Sequence, residues 1–179
     1  MIIEKEIFGQ KLSYEIGNIH KDPDLHRVGY DSPLQQVNIE SCYTQGELYE
    51  FVARKEYDMH IFSDVYLNSD FCNRLFDDSY CVYHHTYCGY IWDFIKNEIH
   101  DKLIISNSKE IFYPSKAWWI GLVYRILHIE TNLSSKILAQ KVPFEFLDSI
   151  YNGYEEENFT NITDLICEFK DIKRYKVEI

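Results

Sequence analysis

Apolar residues recur at helical spacing through most of this chain, and most densely between Ser115 and Lys136. There Ala117, Trp118, Trp119, Ile120, Leu122, Val123, Ile126, Leu127 and Ile129 leave only a narrow stripe of Gly121, Arg125 and His128, spaced i, i+4, i+7. A helix apolar on nearly every side belongs in the centre of a fold. Upstream, Thr44-Gln45-Gly46-Glu47 matches a capping box ahead of Leu48, Phe51 and Val52, so the pattern predicts a helix starting near residue 45. Further helices are predicted at about 60–77, 86–100, 116–130, 134–151 with a break at Pro143, and 161–173. Residues 1–16 alternate around Gly9-Gln10 like two short strands. The polar stretch from Asn18 to Gln36, with Pro23, Gly29 and Pro33, reads as loop. The expected fold is mainly α: a compact single-domain helical bundle over residues 1–179. In this reading, residues 1–40 form an N-terminal β and loop appendage and 41–179 the helical core.

Composition supports one core, since 179 residues with 46% hydrophobic and 16% aromatic content can fill one and not two large ones. The first residues, MIIEKEIFGQKL, carry charge where a secretory signal needs an apolar run. The uncharged run from Ala117 to Tyr124 is far shorter than the roughly 20 residues that span a bilayer. Five cysteines without CxxC spacing fit a reducing compartment. Together these features predict a cytoplasmic protein with no membrane partner.

The net charge of −11 changes the picture of what could bind. More than half of the excess lies between residues 40 and 78, where nine acids, among them Glu47, Glu50 and Asp58, meet Arg54, Lys55 and Arg74. Such a surface repels phosphate backbones and attracts basic partners. The helix-turn-helix rhythm of residues 134–153 would present Glu145 and Asp148 to a major groove, which argues against nucleic acid. The basic patch is the segment Lys170 to Lys176.

Two clusters could carry chemistry. Cys81, His84, His85 and Cys88 are ligand types that zinc accepts, yet neighbours on one helix do not close a tetrahedron by themselves. His20, Asp22, Asp24 and His26 would line one side of an extended segment, suited to a divalent cation or to acid–base work, although Pro23 favours a turn in which aspartates cap backbone groups. No G-x-S-x-G, P-loop or G-x-G-x-x-G accompanies them. A metal-dependent enzyme on one of these clusters is therefore the alternative reading, and no cofactor is expected in the leading one. Tyr124, Arg125 and His128 could line a small anionic-ligand pocket, but an arginine on an apolar helix more often pairs with a buried carboxylate.

The string W-W-x-G-x-x-Y-R-x-x-H-x-x-T-x-x-S-S-K resembles a group of small bacterial antitoxin-like helical proteins. It is carried by Trp119, Gly121, Tyr124, Arg125, His128, Thr131, Ser134, Ser135 and Lys136, within residues 118–142. That resemblance implies a shared helical hairpin and an association with toxin modules. The leading expectation is a protein that works by binding a basic protein partner, as the neutralising member of a toxin or immunity-type pair. Acidic side chains, with Glu47, Glu50 and Asp58 among them, would form the rim, and some of the 15 tyrosines the anchors.

Overall fold

A computed structural model of the protein describes residues 2–7, 10–15, 33–77, 88–108 and 112–174. The backbones of β1 (Ile2–Ile7) and β2 (Gln10–Glu15) run antiparallel, with Ile2 opposite Glu15 and Ile7 opposite Gln10. From residue 33 onward the described chain is compact and helical.

Its centre is a pair of long helices, α1 (Pro33–Ala53) and α5 (Pro114–Thr131), each opened by a proline whose missing N–H is no loss in a first turn. α1 corrects two expectations. It begins at Pro33, inside the stretch read as loop, so a boundary at residue 40 falls within it. The Thr44-Gln45-Gly46-Glu47 box is not a helix start either. The Thr44 hydroxyl donates to the Glu40 carbonyl at 2.7 Å, the back-bond that a threonine makes inside a helix. A capping box is a local pattern that a mid-helix segment can match by chance, whereas Pro33 is a start signal that the polar residues around it concealed.

Two glycines set how closely the pair packs. A Cβ on Gly121 would lie 2.8 Å from the Gln45 carbonyl and from the Tyr49 ring, and one on Gly46 would lie 3.0 Å from the Trp118 backbone. The backbones meet where neither helix has a side chain.

Around the pair pack α2 (Met59–Leu67), the short α3 (Asp70–Cys72), α4 (Cys88–Ile99), α6 (Ser135–Lys141), α7 (Phe144–Tyr154) and α8 (Phe159–Phe169). Three of these starts have an electrostatic reason. Asp58 accepts from the His60 and Ile61 N–H groups at 3.0 and 3.1 Å, and Asn158 accepts from Asn161 at 2.8 Å. Ser69 caps Cys72 at 3.0 Å, while the Glu98 carboxylate reaches across from α4 to take the Asp70 and Phe71 N–H groups at 2.7 and 3.0 Å.

The helix expected over 60–77 is interrupted at Asn68 and Ser69 and ends in a π turn, Asn73–Asp77. The helices expected over 116–130 and from 134 are separate as predicted, because Asn132 adopts a left-handed φ of 56° and Ser134 starts α6 anew. The core runs from Leu48, Tyr49 and Val52 of α1 through Phe62 and Tyr66 of α2 and Ile91 and Ile95 of α4 to Ile120, Val123 and Leu127 of α5. No helix among the described residues is long and apolar enough to cross a membrane.

Candidate functional site

The polar stripe on α5 turns inward. Arg125 lies in the core with a side chain 1% exposed, so each of its N–H groups must be met by protein. Gln45 of α1 accepts from Nε at 3.1 Å and from Nη2 at 2.6 Å. Asp77, which the π turn swings inward, takes Nη1 at 3.0 Å. Nη2 also reaches the Ser135 hydroxyl at 3.1 Å and the Cys72 sulfur at 3.7 Å.

The partners are fixed in turn. Gln45 donates to the Gly121 carbonyl at 2.8 Å and accepts from the Tyr66 hydroxyl at 3.2 Å, which sets the orientation of its amide. Asp77 accepts from the Ser135 N–H at 2.7 Å and from its hydroxyl at 2.5 Å, and so places a carboxylate at the positive N-terminal end of α6. One guanidinium thereby joins α1, α3, the π turn, α5 and α6.

The same cluster gathers Ser135, His128, Asp77 and Cys72, which are residue types used in covalent catalysis, and the geometry decides what they do. The Ser135 hydroxyl donates to the carboxylate and not to the imidazole, so it is not poised to lose its proton to a base. His128 donates from Nδ1 to the Leu133 carbonyl at 2.7 Å, with Asp77 Oδ1 3.6 Å away. Burial, followed by the Arg125 charge, holds the His128 pKa below its ordinary value despite that carboxylate, so the ring is neutral at pH 7. Burial pushes the Cys42 thiol up to about 12 and also raises that of Cys72. Thiols so shifted are not nucleophiles at neutral pH. This arrangement is a clamp that holds helices together.

Other residues singled out by sequence lie apart from the clamp. Tyr124 is buried and donates to the Val142 carbonyl at 2.7 Å, which ties α5 to the α6–α7 connection. Asp58 serves α2 as its cap. Glu50 pairs with Arg54 one turn on, at 2.5 Å. Cys88 is buried at the start of α4, and its proposed co-ligands Cys81, His84 and His85 lie outside the described residues, as do His20, Asp22, Asp24 and His26. Among the described residues no three His, Cys, Asp or Glu side chains are grouped so as to hold a metal ion.

Glu47 is half-buried, and burial together with the neighbouring Glu50 pushes its carboxyl up to about 8. In the unfolded chain the same group titrates near 4.5. Between these values the folded state binds more proton than the unfolded one, so the contribution of Glu47 to stability falls as pH rises and its full cost is felt above pH 8. Replacing Glu47 by Gln should flatten the loss of melting temperature between pH 5 and pH 8. Equal slopes for the two proteins would contradict this account.

Sequence reasoning missed Gln45, Asp77 and Ser135 as partners of Arg125. A buried arginine demands a carboxylate, but nine acids stood in the acidic region and no local pattern selects one of them. It also missed a surface group at a cleft of about 110 Å³ between α2 and α7. There His60 lies 3.2 Å from Glu145 and 3.9 Å from Asp148, and Lys116 pairs with Asp148. Three elements supply these side chains, so no spacing along the chain announces them. Comparison of the chain with protein-family models, with curated proteins and with solved structures finds no match.

Proposed function

We propose that this protein acts by binding a basic protein partner, as the neutralising member of a toxin or immunity-type pair. The observation that carries the proposal is the outer face of α4. Its inner residues, Ile91, Trp92, Ile95 and Ile99, fill the core. Tyr90 and Phe94, one turn apart, stand 61% and 54% exposed; Asp93, which pairs with Lys96 at 2.6 Å, and Asn97 are exposed on the same helix, and Asp101 in the turn that follows it. Large aromatics supply contact area with little side-chain entropy to lose, and acids at the rim steer a basic surface towards them. The clamp supports the same reading, because the ionisable and nucleophilic groups gathered around Arg125 are already held in hydrogen bonds to one another and to the backbone.

The test is affinity capture from the protein's own cells at low salt, followed by titration of the purified pair. A captured partner with a basic surface should bind Tyr90→Ala/Phe94→Ala about tenfold more weakly or worse, a loss of roughly 1.4 kcal/mol or more. Association should slow as salt is raised. Failure to retain any basic protein, or undiminished binding by the double variant, would count against the proposal.

A further inference from the structure

After the short 3-10 turn His100–Lys102 the chain runs extended beside residues 56–58. The Asp58 N–H donates to the Ile104 carbonyl at 2.8 Å and the Ser106 N–H to the Glu56 carbonyl at 2.7 Å, and these two bonds bracket an antiparallel bridge between Tyr57 and Ile105. In that geometry the N–H and C=O of Ile105 both point away from Tyr57. Neither has a hydrogen-bond partner among the described residues. Ile104 and Ile105 are 51% and 52% exposed and, being successive residues of an extended segment, point to opposite faces. An open edge that carries exposed β-branched residues is a template for another strand.

We propose that the strand it receives is the same segment of a second copy, antiparallel about a two-fold axis through Ile105. The edge is self-complementary. A residue placed opposite itself in an antiparallel ladder exchanges both of its hydrogen bonds, and Ile105 offers one outward donor and one outward acceptor for that exchange. The side chains also suit a copy. Residues Leu103 to Ser108 carry no charge, so two chains of net charge −11 can meet there without bringing like charges into contact. Ile105 would pack against its symmetry mate. This contact is independent of the partner proposed for α4.

Light scattering of the purified chain over a range of concentrations tests the inference. The mass should rise from 21.5 kDa towards twice that value as concentration increases. Ile105→Lys and Ile105→Glu each place two like charges directly opposite one another and should weaken the dimer at least tenfold. An equimolar mixture of the two variants should restore it as a mixed dimer. Because Ile105 is half-exposed and its backbone groups face outward, both variants should melt like the wild-type monomer. A chain that stays monomeric throughout overturns the inference, as does a dimer untouched by both substitutions or a mixture that fails to reassociate.

Discussion

Replacing Arg125 by alanine is expected to lower the unfolding free energy by about 3–5 kcal/mol, a large share of the roughly 5–15 kcal/mol that holds a domain together. The loss comes from what is left behind. Asp77 would remain buried with a negative charge and without Nη1, and Gln45 would lose two of the three donors that its oxygen accepts. A denaturant titration of both proteins measures the difference. A double-mutant cycle with Asp77→Ala adds a sharper expectation, because once the carboxylate is gone, removing Arg125 no longer strands it. The two losses should then fall short of additive by about 1–3 kcal/mol. An unchanged midpoint for Arg125→Ala would mean that the clamp contributes nothing to the fold.

Gly121→Ala should destabilise the protein by about 2 kcal/mol, although alanine is the better helix former by roughly 1 kcal/mol. Its Cβ would sit 2.8 Å from the Gln45 carbonyl, a backbone atom that cannot rotate aside, so α1 must shift away from α5. That shift also disturbs the clamp, since Gln45 bonds both Arg125 and the Gly121 carbonyl. Gly153→Ala is the control. No atom lies within 4 Å of a Cβ built there, near the exposed end of α7, so the same substitution should stabilise by up to about 1 kcal/mol. Thermal melts of the pair should move in opposite directions, and a destabilised Gly153→Ala would defeat the steric explanation.

Much of the helical layout was legible because the signals that place a helix are local. Apolar periodicity placed α4, α5, α7 and α8 within a few residues of their observed positions, and Pro143 marked the break between α6 and α7. Legibility failed where a local motif had two meanings. Thr44 and Glu47 satisfy the spacing of a cap, yet the chain was already helical for eleven residues before Thr44. It failed again at Asn68 and Ser69, which interrupt the single helix expected over 60–77.

By itself the sequence determined that the chain is mainly helical, that α5 lies at the centre, and that Arg125 faces something other than water. These follow from period and composition, which act over a turn or two of chain. Only the tertiary structure decided that Asp77, 48 residues away, is the carboxylate of Arg125, that Gln45, 80 residues away, shares it, and that the open edge at Ile105 lies beside Tyr57. The physical reason is that burial and hydrogen bonding select partners by position in space. Many acids and amides along the chain are chemically equal candidates until the packing of α1 on α5 and the π turn at Asn73–Asp77 bring one of each within about 3 Å of the guanidinium.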